Sequence, residues 1–472
     1  MKPTSQRLEA FKVDLRRTQN AEIFSRRRAL CTGVSGAPAP TGSLPSLESL
    51  SPNASIREIR RGLAKIEGWF AGGGAAGPVE STGLADAMCV LASFSEEPEV
   101  IAEAVAGLTN CLAAPGASCE FWEQRRPEAI FAGLASRGSS ELTELCVHGL
   151  ANAVAGRPRA RSALLEAGFF SSFLGPAHQA AKNRPDFPAK LVWLAGNLVE
   201  GCEKGPAMPA TEARAFCTFT AELCEPGGVE VPARDLLTFI EFFSRSASNS
   251  KALLRVPVVI ERLLKFLIPR ETRGLALETL ANLIEIIEPL NVSCFQNEFF
   301  FDNYAFILRN SKKENELVST FFNLSNLVLE DPLADFALQN PLLFEPISAI
   351  LREKSDRVRK EVFFFLGNLL HKLRSSNLQK LESNGVFLFL AQGMLIDNKD
   401  IKAIAIDALA AGIERALVDP PALGPLREIL VRVEWLRVAQ NAEDTVDVKH
   451  LDNLKFVEEF LLTRNNELCL EY

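Results

Sequence analysis

Asparagine is the residue whose placement along this chain could do chemistry. Asn110, Asn152, Asn197, Asn282, Asn326 and Asn368 lie in the settings LTN, LAN, AGN, LAN, LSN and LGN, at gaps of 42, 45, 85, 44 and 42 residues. The longest gap is two of the others. A side-chain amide carries a donor and an acceptor together, so one amide can hold both main-chain groups of an extended peptide residue. One amide per helix makes a ladder that grips a backbone without reading its sequence. Specificity must then come from what stands beside each rung. Position i−4 is one turn earlier on the same helical face, and it is held by Ala106, His148, Trp193, Glu278, Phe322 and Phe364. An aromatic there makes a wall for a lysine or arginine stem, with a cation–π contribution of ~0.5–2 kcal/mol. Acids near the wall would receive the charged head.

Other chemistry is missing from the sequence. It has no glycine-rich phosphate loop after a strand, no HExxH, no GxSxG and no Cys/His metal spacing. Four histidines leave little for acid–base work. The ten cysteines form no CxxC pair and read as reduced, mostly buried small hydrophobes. The chain therefore reads as a binding protein, not an enzyme, with no cofactor and no metal.

The elements that must carry the ladder are helices. Apolar residues recur at i, i+3, i+4 and i+7 in IAEAVAGLTN, ELCVHGLAN, KLVWLAGN, LALETLAN, VSTFFNLSN and EVFFFLGN. A period near 42 lies in the ~40–47 range of armadillo and HEAT repeats, and about ten such units account for most of the 472 residues. Ser55 is placed to cap the first helix, in SIREIRRGLAKIEGWF, and a GGGAAGP loop at 72–78 follows it. The unit after Asn197 contains FIEFFSRS, in which Phe243 takes the asparagine slot. IKAIAIDALAAGIERAL has the shape of a ninth third-helix without the amide, and the segment from EWLRVAQN to VEEFLL reads as a capping unit.

The chain divides by composition into a basic arm at 1–31, a Gly/Pro/Ser-rich tether at 32–54, the repeats at 55–463 and a tail at 464–472. Residues 1–28 carry eight bases and three acids, a balance of +5, which leaves −13 on the other 444 residues. A basic arm on an acidic body can fold back on it. No run of about 18 apolar residues is free of charge, so no membrane span is expected, and the N-terminus lacks the apolar core of a secretory signal.

As a set, these segments resemble the importin alpha family. KLVWLAGNLVEG holds that family's WxxxN element intact, with Trp193 and Asn197, while VFFFLGNLL, FFNLSNLVLEDP and VHGLANAVAG carry Phe, Phe and His for Trp. SIREIRRGLAKIEG resembles the opening of the first repeat, and EWLRVAQNAEDTVDVKHLDNLKFVEEFLL the end of the tenth. RLEAFK with VDLRRTQNAEIFSRRRAL resembles an importin-beta-binding segment with a shortened middle.

The resemblance implies an all-α, right-handed armadillo-repeat solenoid of ten units that carries cargo into the nucleus and shuttles between cytoplasm and nucleus. Asn110, Asn152, Trp193, Asn197 and Glu200 would form a major site for nuclear localisation signals. Asn282, Glu288, Phe322, Asn326, Glu361, Phe364 and Asn368 would form a minor one. Arg7, Lys12, Arg16, Arg17, Arg26, Arg27 and Arg28 would bind importin beta, or compete with cargo when it is absent. The implied partners are importin beta, cargo proteins and an export receptor for recycling, with neither nucleic acid nor membrane. The chain departs from the family at Ala106 and His148, where tryptophans stand, at Gly156, where an aspartate takes the key lysine, and in its short tail.

The rival expectation is an armadillo scaffold holding acidic or mixed peptides in signalling or assembly. The two differ in sign: a carrier of basic signals needs Asp and Glu beside the rungs, and a holder of acidic tails needs Lys and Arg.

Overall fold

The computed structural model describes residues 47–462, apart from 52–53, 72–82, 114–117, 137–139, 175–176, 178–186, 201–207, 228–229, 288, 297 and 436–447. Among the described residues the regular structure is entirely helical. Ten helices form the stacking elements and are numbered here: α1 (Ile56–Ala71), α2 (Pro98–Ala113), α3 (Ser140–Val154), α4 (Phe187–Val199), α5 (Ala233–Ser244), α6 (Arg270–Ile284), α7 (Glu314–Leu327), α8 (Asp356–Leu370), α9 (Lys399–Val418) and α10 (Val448–Leu462). Shorter helices fill the intervals between them.

Local chemistry explains where these helices start. Ser55 and Glu58 form a capping box: Glu58 N–H donates to Ser55 Oγ (3.4 Å) and Ser55 N–H donates to Glu58 Oε2 (2.9 Å). The Ser55 hydroxyl, which also donates to Glu58 Oε2, and then the Ser55 N–H hold the Glu58 carboxyl below its ordinary pKa. Asn398 caps α9 by accepting from Asp400 and Ile401 N–H. The short helices at 127–135, 158–166, 257–266 and 331–339 have proline in their first turn, where its missing N–H costs nothing.

The chain falls into two compact units, Met1–Phe169 and Phe170–Tyr472. In the first, α2 packs on α1 and α3 on α2. In the second, α4 to α10 pack each on the next. A strip of rings runs through the start of the second unit, where Phe216 stacks on Phe243 with centroids 4.9 Å apart and meets Phe239 at 5.3 Å. The fully buried Glu212 carboxylate accepts from Phe170 N–H (2.7 Å) and Ser171 N–H (3.1 Å).

One buried ion pair ties α6 to α7. Arg273 and Glu316 are each 5% exposed and meet at 3.2 Å. The rest of the guanidinium donates to the carbonyls of Leu267 (2.8 Å) and Ile268 (2.6 Å), and Glu316 also accepts from Ser311 Oγ (2.8 Å). Removing one member of a buried pair strands the other charge, at a cost of ~3–5 kcal/mol. Lys313, 3.0 Å from Glu316, softens that cost. Arg273→Met is therefore expected to lower the unfolding free energy by about 3 kcal/mol in urea denaturation; a loss under ~1 kcal/mol would show that the pair does not clamp the two helices.

Candidate peptide-binding face

The expected rungs lie near the C-terminal ends of the stacking helices. In the first unit Asn110 is exposed on α2, and Asn152 is half-buried on α3, with Ala106 and His148 half-buried one turn before them. Asn152 Nδ2 donates across to the Thr109 carbonyl at 3.4 Å. In the second unit Trp193 is half-buried and Asn197 is buried on α4, with Glu200 half-buried just beyond the helix. Asn282 donates to Ser244 Oγ (3.1 Å), Asn326 to the Phe322 carbonyl of its own helix (3.0 Å), and Asn368 to both Ser325 O and Oγ (2.8 Å each). Phe322 is buried and Phe364 half-buried.

These bonds follow a rule. Asn152 and Asn368 reach the residue just before the rung of the preceding helix, Thr109 before Asn110 and Ser325 before Asn326. An amide has two N–H donors and an acceptor oxygen. In Asn152, Asn282 and Asn368 one donor anchors the side chain to the stack, so its direction is fixed before any ligand arrives.

The same rule corrects the reading of the fifth helix. Asn282 reaches Ser244, so the rung position there is Arg245, and Phe243 is fully buried against Phe216. Arg245 is held by Glu241 at i−4 through two bonds, Nε to Oε1 (2.8 Å) and Nη2 to Oε2 (2.9 Å). Its guanidinium also lies over the Phe242 ring at 4.5 Å. At the next rung, Glu278 occupies i−4 of Asn282. Burial, with the nearby charge of Glu241, pushes its carboxyl up to about 7, against the opposing pull of Arg245.

Glu361 shares the face of α8 with Phe364 and Asn368. It is 2% exposed, and its Oε1 has no hydrogen-bond partner. Burial pushes its carboxyl up to about 8, with Arg357 opposing. Sequence reasoning did not pick out Glu241 and Arg245, nor Asn323, a fully buried amide that donates to Leu277 O and Tyr304 Oη (3.1 Å each). The doublet of amides in FFNLSN was the only available signal for the last. Glu288 and the arm residues Arg7, Lys12, Arg16, Arg17, Arg26, Arg27 and Arg28 lie outside the described residues. Among the described residues no cluster of metal-ligating side chains forms.

No family model matches the sequence, and no curated protein matches it. Solved structures do. An engineered protein superposes with a TM-score of 0.65 at 16% identity, over 88% of this chain and 97% of that one. A chain from a structure on the phosphorylation switch between cadherin and beta-catenin superposes at 0.61 and 14% identity, over 89% and 81%. A designed armadillo repeat protein matches 51% of this chain and 98% of its own length, at 14% identity and a TM-score of 0.42. The fold is the armadillo-repeat fold. At these identities the likeness concerns architecture alone, and the ladder's chemistry rests on this chain's own residues.

The Glu361 carboxyl gives the face a measurable pH signature. Its folded pKa, about 8, lies above the ordinary 4.5, so the folded state holds the proton more tightly. The stability linked to this group is complete below pH ~4.5 and falls as pH rises through about 8. Glu361→Gln should leave the melting temperature unchanged at pH 5 and raise it by a few degrees at pH 9. Parallel pH profiles for the two proteins would remove Glu361 as the source.

Proposed function

We propose that the chain is a peptide-binding armadillo adaptor for nuclear import, which holds the basic localisation signal of a cargo on its ladder face and binds importin beta through its N-terminal arm. The reading rests above all on two carboxylates beside the rungs, the half-buried Glu278 and the buried Glu361. Glu278 stands one turn before Asn282, and Glu361 stands two turns before Asn368, without a partner for one oxygen. An acid buried without a cation is costly until a cation arrives. A lysine or arginine from an extended peptide supplies it, while the amides hold the peptide's backbone and Trp193, Phe322 and Phe364 flank its stems. A ladder built for acidic tails would carry bases at these positions, and the one base there, Arg245, is already neutralised by Glu241. The wider charge balance, +5 on residues 1–28 and −13 on the rest, fits an arm that competes with cargo. In that reading importin beta draws off the arm, apparent cargo affinity rises by linkage, the protein shuttles between cytoplasm and nucleus, and an export receptor returns it.

Titration of a labelled lysine-rich signal peptide tests the ladder. Asn110→Ala and Asn326→Ala remove rungs that make no bond to a neighbouring helix in the described structure, and each should weaken binding by ~2–10-fold without lowering thermal stability. Affinity should also rise with pH. A cation binds the ionised carboxylate, and a group titrating near 7 is mostly protonated at pH 6 and mostly ionised at pH 8, so the gain approaches ~10-fold per such contact. Equal binding of an acidic peptide, or a fall in affinity with pH, would favour the scaffold reading instead.

Deletion of residues 1–30 addresses the arm. Cargo-peptide binding measured without importin beta should tighten several-fold, and importin beta binding should be lost. Unchanged peptide affinity would remove autoinhibition from the proposal.

A further inference from the structure

A cleft of about 450 Å³ opens in the first unit, lined by residues of the short helices Cys119–Arg125, Pro127–Ala135 and Pro158–Glu166 and of the joints before the last two. Its wall carries three glutamates and three arginines, two of each internally matched, and of the other two Glu120 is exposed to solvent. Arg159 pairs with Glu123 at 2.6 Å, and Arg126 with Glu128 at 3.4 Å. Arg126 takes a left-handed conformation (φ 46°) at the joint between the first two helices, which a non-glycine residue adopts at some cost.

Arg157 is the unmatched base. It lines the cleft and is 7% exposed. Its Nη2 donates to the Asn152 carbonyl at the end of α3 (3.0 Å), and its guanidinium stands 5.5 Å from the Trp122 ring, itself buried. Its Nη1 has no hydrogen-bond partner, and no carboxylate among the described residues lies within ion-pair distance of it. Burial pulls its pKa down to about 10, with Glu128 opposing, so it is charged at neutral pH. A buried cation with an idle N–H is an expensive thing to keep: one unsatisfied buried donor costs ~1–3 kcal/mol, more when charged. A planar guanidinium in this state matches an oxyanion.

We propose that this cleft is a carboxylate-binding site, in which Arg157 receives the single negative charge of an acidic peptide residue or a peptide's chain end. The three glutamates on the wall, Glu120, Glu123 and Glu128, decide between anions. A phosphate dianion would meet their repulsion twice over, whereas a carboxylate brings one charge to one unmatched cation. The site is separate from the rungs' outward chemistry yet touches them, because the same guanidinium grips the carbonyl of Asn152, whose amide reaches Thr109.

The test uses the full chain and saturation-transfer NMR with four probes. These are N-acetylglutamate N-methylamide for a side-chain carboxylate, N-acetylglycine for a chain end, N-acetylglutamine N-methylamide as the neutral match, and inorganic phosphate. One of the two carboxylates should bind saturably with a Kd on the order of 1 mM, and which of them binds more tightly identifies the source. The neutral amide should not bind. Arg157→Gln should weaken carboxylate binding by at least ~10-fold, since a charged hydrogen bond is worth ~1.5–3 kcal/mol. Arg157→Lys keeps the charge but not the fork, and should fall between. Arg159→Gln should bind as the wild type does. If Arg157→Gln does not fold, as judged by thermal melting, Arg157→Lys decides alone: wild-type affinity there would overturn the guanidinium assignment. Binding of phosphate more tightly than either carboxylate, equal binding of the neutral amide, or no saturable binding of either carboxylate to the wild type would overturn the proposal.

Discussion

A single hydrogen bond, repeated, sets the geometry of the ladder. Asn152 donates to Thr109 and Asn368 to Ser325, each landing one residue before the rung of the preceding helix. The bond links consecutive repeats, so the spacing of the rungs is tied to the packing of the helices that carry them. Moving the amide by one residue along its own helix turns it by about 100°, which would swing it off the face and break the bond together. Small hydroxyl residues before the rung, Thr109, Ser244 and Ser325, take part in the same arrangement: Asn282 and Asn368 both reach the serine hydroxyl itself.

Acids along this face are held in two different states. Glu241 is paired with Arg245 through two hydrogen bonds. Glu278 and Glu361 are pushed up to about 7 and about 8 by burial. The difference follows from supply: one base stands at a rung position, and it sits beside Glu241. An acid without a base in a dry site takes up a proton instead. Under the proposed function such a proton would be displaced when a cation enters, which would couple the occupancy of the face to the pH around it. Arg245 thereby does two things at once. It neutralises one carboxylate permanently, and it removes the fifth helix from the set of amide rungs.

Much of this was legible in the sequence, and the limits have physical reasons. The period, the helical content and the Ser55 cap could be read because each depends on local spacing or on a side chain acting within one turn. The slot on the fifth helix was misread as Phe243 because FIEFFSRS is apolar at several consecutive positions. A helix of that kind shows no unique face, and only the bond from Asn282 to Ser244 fixes the register at Arg245. Glu361 was legible as a residue of the face but not as a buried, protonated acid. Burial depends on what neighbouring helices place over it, and no spacing rule carries that. Asn323 and Asn326 are three residues apart in one motif, yet one is fully buried and the other half-buried, a distinction that only packing makes.

The two units differ in what stands beside their rungs. In the first unit the i−4 residues are Ala106 and His148, so no Trp, Tyr or Phe flanks Asn110 or Asn152 from that position. The second offers Trp193, Phe322 and Phe364, each able to contribute ~0.5–2 kcal/mol toward a cation, along with the carboxyls of Glu278 and Glu361. At the end of α3 the first unit also places Arg157, a buried positive charge bonded to the carbonyl of Asn152 itself. A ligand lysine brought to that rung meets repulsion where the second unit offers attraction. Under the proposed function the amides would supply backbone grip in both units, and only the second would add side-chain selectivity for positive charge. Under the proposed function, the discriminating part of signal recognition therefore falls on α4 to α8, and the rungs of the first unit act mainly as backbone holders beside a surface whose own charge suits an anion.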